Sequence, residues 1–154
     1  MSGTGRPLNG PARQTVFVVD DDDAVRDSLG MLLRSVDLPV ETFDSGIAFL
    51  ERYRPDISGC LVLDIRMPKM SGLETQQKLR ELGSRLPVIF ITGHGDIPMA
   101  VQAIKEGAAD FIQKPFRDQD LLDRIHAALE EDSRLRSEDS QRATLATRYE
   151  SLTD

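Results

Sequence analysis

Three short, unbroken apolar runs constrain this chain more than any other feature: Val16-Phe17-Val18-Val19, Cys60-Leu61-Val62-Leu63 and Val88-Ile89-Phe90-Ile91. A strand with one face in water alternates apolar and polar residues. Four apolar residues in a row instead fit a strand buried on both faces, as in a parallel sheet covered by helices. Val40 to Phe43 and Asp110-Phe111-Ile112 read as weaker strands. The segments between them carry helical spacing. Val25, Leu29, Leu32, Leu33 and Val36 recur every three or four residues and share one face. Ile47, Leu50 and Tyr53 mark a shorter helix. Ser71-Gly72-Leu73-Glu74 has the spacing of a capping box and opens a helix through Leu79 and Leu82 that Gly83 stops. Asp96 is placed as the cap of the next helix, with Pro98 in its first turn and Gly107 at its end. Asp118 opens the last, which carries Leu121, Leu122, Ile125, Ala128 and Leu129. Strands alternating with helices over about residues 15–131 predict a doubly wound α/β domain with a five-stranded parallel sheet.

Composition removes several functions. With 154 residues the chain has room for one well-buried domain. Its 26 acidic residues against 19 basic give a net charge of −7, the wrong balance for gripping DNA phosphates, so a nucleic-acid role would belong to a segment outside this chain. No apolar run approaches the ~18–20 residues of a membrane-spanning helix. Met1 to Gln14 lacks the apolar centre of a signal peptide and is read as a flexible lead-in to a cytoplasmic protein. Cys60 is the only cysteine, which excludes an internal disulfide, and its apolar neighbours predict a small buried side chain.

In an open parallel sheet the functional crevice lies beyond the carboxyl ends of the strands, and there this sequence concentrates its chemistry. The first strand ends in Asp20-Asp21-Asp22-Asp23, the third in Asp64, the fourth in Thr92, and the fifth is followed by Lys114. A run of acids is ordinarily a solvated face. For Asp22 and Asp23 the better reading is a helix start, where negative charge is favoured. Asp20 and Asp21 directly follow buried positions, and the parallel fold brings them toward Asp64. Like charges ~4 Å apart at an effective dielectric of ~20 repel by about 4 kcal/mol, so three carboxylates call for a cation. Hard oxygen ligands with room for water suit Mg²⁺. Thr92-Gly93 offers a hydroxyl beside an unobstructed backbone, although a lone Thr there is often only a turn former. Lys114 can pair with a carboxylate and with a transferred phosphoryl group, and its bond to Pro115 permits the cis isomer. Pro68, after Asp64-Ile65-Arg66-Met67, holds Met67 extended. His94 and His126 read as loop and exposed-helix residues, neither with a second histidine placed for a transition metal.

Four motifs now stand in order: Val18-Val19-Asp20-Asp21-Asp22; Leu63-Asp64-Ile65-Arg66-Met67-Pro68-Lys69-Met70-Ser71-Gly72-Leu73; Ile91-Thr92-Gly93-His94-Gly95-Asp96; and Phe111-Ile112-Gln113-Lys114-Pro115-Phe116. Together they resemble the receiver domains of two-component response regulators, most of all the FixJ/NarL class, over roughly residues 15–131. The resemblance implies a CheY-like (βα)5 fold in which Asp64 is the phosphoacceptor. It implies that Asp21 and Asp64 bind Mg²⁺ directly, Asp20 largely through water, and Arg66 by its backbone carbonyl. Thr92 would hydrogen-bond the phosphoryl group, Lys114 would pair with it, and Phe111 would turn inward as Thr92 moves. Without that context Phe111 reads equally well as an ordinary core aromatic. The implied partners are a sensor histidine kinase and, after phosphorylation, a second copy of the chain.

Residues 132–154 are polar and helix-favouring, with apolar positions too sparse for a heptad, and read as a frayed helical linker. Tyr149-Glu150-Ser151-Leu152-Thr153-Asp154 resembles the junction where FixJ/NarL-type regulators begin their helix-turn-helix domain, which implies a DNA-binding domain absent from this chain. Two competing readings stay in view. A haloacid-dehalogenase-type phosphohydrolase also uses Asp, Thr or Ser, Lys and Mg²⁺, but its nucleophile ends the first strand in an Asp-x-Asp pattern, whereas Asp64 ends the third. A receiver-like module that never takes phosphate would have no use for the full acid set.

Overall fold

Strands and helices alternate through the described residues. In the computed structural model β1 (Thr15–Val19), β2 (Val40–Phe43), β3 (Gly59–Asp64), β4 (Val88–Thr92) and β5 (Asp110–Gln113) are separated by α1 (Asp23–Ser35), α2 (Gly46–Arg52), α3 (Gly72–Glu81) and α4 (Ile97–Lys105), and α5 (Asp118–Leu152) follows. The structure describes residues 13–152, with side chains through 138. All pairings are parallel and the strand order is β2-β1-β3-β4-β5. This is the doubly wound arrangement expected, with the chain reversing direction across the sheet between β1 and β3, where the strand ends diverge into a crevice.

Each unbroken apolar run supplies both faces. Val16, Val18, Cys60, Val62, Ile89 and Ile91 pack with Leu29 and Leu33 of α1 and Leu121, Leu122 and Ile125 of α5. The alternate residues Phe17, Val19, Leu61, Leu63, Val88 and Phe90 pack with Phe49 of α2, Leu79 of α3 and Ala103 of α4. Side-chain alternation along a strand is what divides one run between two cores. Cys60 is fully buried, and burial pushes its thiol above the ordinary range, so it is the small apolar filler expected.

The caps mostly follow the sequence. Asp22 caps α1, accepting from the N–H groups of Ala24 (2.8 Å) and Val25 (3.3 Å). The capping box at α3 is complete: Glu74 N–H donates to Ser71 Oγ at 3.1 Å and Ser71 N–H to Glu74 Oε1 at 3.0 Å. Asp96 precedes α4 but makes no side-chain cap; its φ of −98° and ψ of 8° are not the extended backbone a cap needs, and its carboxylate is engaged elsewhere. In α2 the helix forms and Leu50 packs on the core, but the fully buried residue is Phe49, against Phe17 and Phe43, while Ile47 lies exposed and Tyr53 falls just past the helix. Two turns of helix tolerate either face, and the aromatic gains more by burial.

The helical linker expected after the domain is continuous with α5, which runs without a break through Leu152. Asp132 is buried and accepts hydrogen bonds from Ser58 Oγ (2.8 Å), Gly59 N–H (3.0 Å), Gln14 Nε2 (3.1 Å) and Arg136 Nε (3.3 Å). Gln14, read from sequence as part of the loose lead-in, also donates to the Leu129 carbonyl at 2.7 Å. Residues 1–12 and 153–154, which carry the rest of the lead-in and the end of the Tyr149–Asp154 junction motif, lie outside the described residues.

Candidate functional site

The carboxyl ends of β1 and β3 bring three acids together. One carboxylate oxygen from each of Asp20, Asp21 and Asp64 lies within 4.8 Å of the others. Register explains this: Val19 pairs with Leu63, so the residues that follow both strands emerge side by side. Asp20 is fully buried, Asp64 half-buried and Asp21 exposed, so the cluster opens to solvent on one side. Asp20 is held by its neighbours, because its Oδ1 accepts from the Asp22 N–H at 2.9 Å and its carbonyl from Arg26 Nη1 at 2.6 Å. Arg26 also pairs with Asp23.

The electrostatics of this cluster are unfavourable as it stands. Burial, then the Asp20 charge, pushes the Asp64 carboxyl up to about 6, against the opposing pull of the Arg66 N–H and Lys114. Burial likewise raises Asp20, offset by the Asp22 N–H and Lys114. Among the described residues Asp20 Oδ2 is buried without a hydrogen-bond partner. A buried carboxylate oxygen costs ~1–3 kcal/mol or more when unsatisfied, so an orphaned oxygen in a cluster of three carboxylates fits a divalent cation with oxygen ligands.

The other expected residues surround the acids at different distances. Arg66 N–H donates to Asp64 Oδ1 at 3.2 Å, which folds the chain after β3 back over the acid. Lys114 is half-buried just after β5, its N–H bonded to the Thr92 carbonyl at 2.8 Å and its bond to Pro115 cis. Its charge reaches both Asp20 and Asp64. Thr92 ends β4, fully buried, with its hydroxyl donated to the Ile112 carbonyl at 3.4 Å and therefore directed at β5. Phe111 is half-buried and packs on the core beneath α2–α4. His94 is exposed, its Nδ1 3.4 Å from Gln113 Nε2, and His126 is exposed on α5, as expected of both.

Sequence reasoning missed two roles. Arg26 carries no signal in the sequence, and only the fold shows it clasping the Asp20 carbonyl. Asp96 reads as a cap, yet its Oδ1 accepts from the Arg66 side-chain Nε at 2.6 Å and its Oδ2 from the Gly93 N–H at 3.3 Å. Nothing in residue spacing reports a pair 30 positions apart.

This arrangement is shared with known proteins. The family model described as "Response regulator receiver domain" matches residues 16–126, and the chain belongs to that family. It is 51% identical over 137 residues to the response regulator protein TodT of Pseudomonas putida, covering 89% of this chain and 60% of TodT. It is 49% identical over 119 residues to the transcriptional regulatory protein FixJ of Azorhizobium caulinodans, covering 77% of this chain and 56% of FixJ. Among solved structures it is similar to the response regulator StyR, with a TM-score of 0.85 and 49% identity over 90% of this chain and 70% of that one. The crystal structure of FixJ-N matches with a TM-score of 0.72 and 47% identity, covering 77% of this chain and 95% of that one. The chain thus spans about three-fifths of the length of the TodT and FixJ relatives it matches. It is a receiver domain with a CheY-like fold, and nothing in these likenesses favours a haloacid-dehalogenase-type hydrolase. No helix among the described residues is long and apolar enough to cross a membrane.

Proposed function

We propose that this chain accepts a phosphoryl group on Asp64 from a sensor histidine kinase, that it does so with Mg²⁺ held by Asp20, Asp21, Asp64 and the Arg66 carbonyl, and that phosphorylation favours a dimer. The output it governs is a DNA-binding domain outside this chain, in a cytoplasmic transcriptional regulator. The observation that carries the reading is the three-carboxylate cluster with its orphaned Asp20 Oδ2, open to solvent and within reach of Lys114.

The chemistry asks little covalent work of the protein. A carboxylate oxygen of Asp64 attacks the phosphorus of a phosphohistidine, the P–N bond breaks, and the imidazole leaves with the electron pair. Phosphoryl transfer passes through a loose transition state that needs in-line positioning and charge neutralisation. Bound Mg²⁺ would supply much of that neutralisation. Lys114 brings an ammonium to the same oxygens, and the Arg66 N–H orients the Asp64 carboxylate. Thr92 supports the product state: its weak 3.4 Å bond to Ile112 leaves the hydroxyl ready to exchange that acceptor for a phosphoryl oxygen. Such a rotation would vacate space toward β5, and Phe111, half-buried on that strand, would turn into it. The switch then reaches the α4–β5 surface through a two-state element. Water returns the site to rest by slow hydrolysis, so the chain is a switch rather than a turnover enzyme.

The test is incubation with acetyl phosphate and Mg²⁺ followed by mass spectrometry of the intact chain. One phosphoryl group is expected on the wild type, none on Asp64→Asn, and none after chelation of the metal. A wild type that takes up no phosphate, or an Asp64→Asn variant that takes up as much, would overturn the reading. Light scattering on the phosphorylated chain checks the dimer.

A further inference from the structure

Asp96 is a buried acid, its side chain 7% exposed, that forgoes its helix-capping role. A capping residue is ordinarily favoured because it satisfies an orphan N–H of the first turn, so the alternative engagement must be the stronger one here. That engagement is a 2.6 Å ion pair to Arg66 Nε together with the 3.3 Å bond from the Gly93 N–H, and charge-assisted bonds of this length are among the stronger ones a protein makes. The pair joins two loops that start at the two reactive positions. Arg66 lies two residues past Asp64 and its N–H touches Asp64 Oδ1 at 3.2 Å; Gly93 directly follows Thr92. A single line of contacts therefore runs from the Asp64 carboxylate through Arg66 and Asp96 to the residue beside Thr92. The Arg66 side chain is 68% exposed, and among the described residues its two Nη groups have no hydrogen-bond partner. That free fork is the part of a guanidinium that takes phosphate oxygens two at a time.

We propose that the Arg66–Asp96 pair is a positioning tether, which holds the loop between Thr92 and α4 in its resting place and is released when a phosphoryl group on Asp64 draws the Arg66 guanidinium to itself. The inference rests on the reading of Asp64 as phosphoacceptor. Release frees Asp96 and with it the Gly93 N–H, so the segment carrying Thr92 becomes able to move toward the new charge. Arg66 is then a sensor of the phosphoryl group distinct from Thr92 and Lys114, acting through Asp96.

The test uses the full chain, ¹⁵N-labelled, as wild type, Arg66→Ala, Asp96→Asn and the double variant. Asp96→Asn is nearly isosteric and keeps an acceptor for Gly93, so loss of fold does not confuse it. Amide resonances of Gly93 and Gly95 are recorded at rest and, for the wild type, with acetyl phosphate and Mg²⁺. Without phosphate, each single variant is expected to move these resonances part of the way toward their phosphorylated positions. Exchange of the Gly93 amide should quicken roughly tenfold in Arg66→Ala, as expected of a local opening. Because both residues act through one bond, the double variant should move no further than the larger single; two unrelated structural effects would add. Resting resonances and exchange rates that match the wild type, or additive shifts, overturn the tether. A wild type that takes no phosphoryl group defeats instead the reading of Asp64, and the exchange rates at rest still decide whether the pair restrains the loop.

Discussion

Burial and like charge act in the same direction on Asp20 and Asp64, and the consequence is measurable. Both carboxyls are raised above the usual range, Asp64 to about 6. The unfolded chain releases those protons near pH 4, so between about pH 4 and 6 the folded state holds more protons than the unfolded one. Ion-free stability contributed by these groups therefore falls as pH rises through that window. Mg²⁺ needs the ionised acids and should bind more tightly toward its upper end. Thermal denaturation is expected to show a rise in Tm on adding Mg²⁺ that is large at pH 7.5 and small at pH 5; equal shifts at both would disconnect the metal from the acid cluster. Asp20→Asn should separate the two effects. It keeps the acceptor for the Asp22 N–H, removes one buried like charge, and puts an amide donor at the orphaned position. The variant is expected to gain about 1 kcal/mol without metal and to lose most of the Mg²⁺-dependent stabilisation, as read by denaturant titration with and without the ion.

At the scale of elements, two contacts decide geometry that propensity leaves open. Gly72 begins α3 against the end of β3, where a Cβ would lie 2.4 Å from the Asp64 carbonyl oxygen and 2.9 Å from the Ile65 Cα. The capping box sets where α3 starts, but only a residue without a side chain lets it start that close to the strand that ends in Asp64. Gly72→Ala should displace the end of β3 and slow acetyl phosphate labelling of Asp64 more than it lowers Tm. At the other end of the sheet, Asp132 gathers the Ser58 hydroxyl, the Gly59 N–H and Gln14 beneath β1 and β3. Gly59 has φ +143° and a Cβ there would sit 1.7 Å from the Thr15 carbonyl oxygen, so this corner is fixed from both sides. Asp132→Ala would strand two buried donors at about 1–3 kcal/mol each, and a loss of roughly 2–4 kcal/mol is expected in urea unfolding. Faster amide exchange should appear at the root of the α5 extension, with phosphoryl uptake at Asp64 unchanged. A loss within the noise would show that the helix is held by its apolar face alone.

For the whole molecule, the helices on both sides make the sheet a divider between two cores, and all reactive groups lie at one rim of it. The net charge of −7 then works with the fold. An acid cluster at the rim and a generally acidic surface repel a polyanion, so the chain alone should show no retention of duplex DNA in a mobility shift at low salt, where nonspecific binding is strongest. Retention would contradict the assignment of DNA contact to a segment outside this chain.

Local pattern was enough for the strands, the parallel doubly wound sheet and the acids. Apolar runs report burial on both faces, short crossovers leave few topologies, and a parallel sheet must deliver the residues after its strands to one rim. Asp20, Asp21, Asp64, Thr92 and Lys114 were legible for that reason. Tertiary contact settled the rest. Phe49 rather than Ile47 turned inward because a two-turn helix takes its direction from the aromatics it meets. Asp96 left its cap for an arginine 30 residues away, and Asp132 on the last helix is bonded to Ser58, 74 residues earlier. In each case the deciding energy came from a partner distant in sequence, and no periodicity along the chain encodes such a partner.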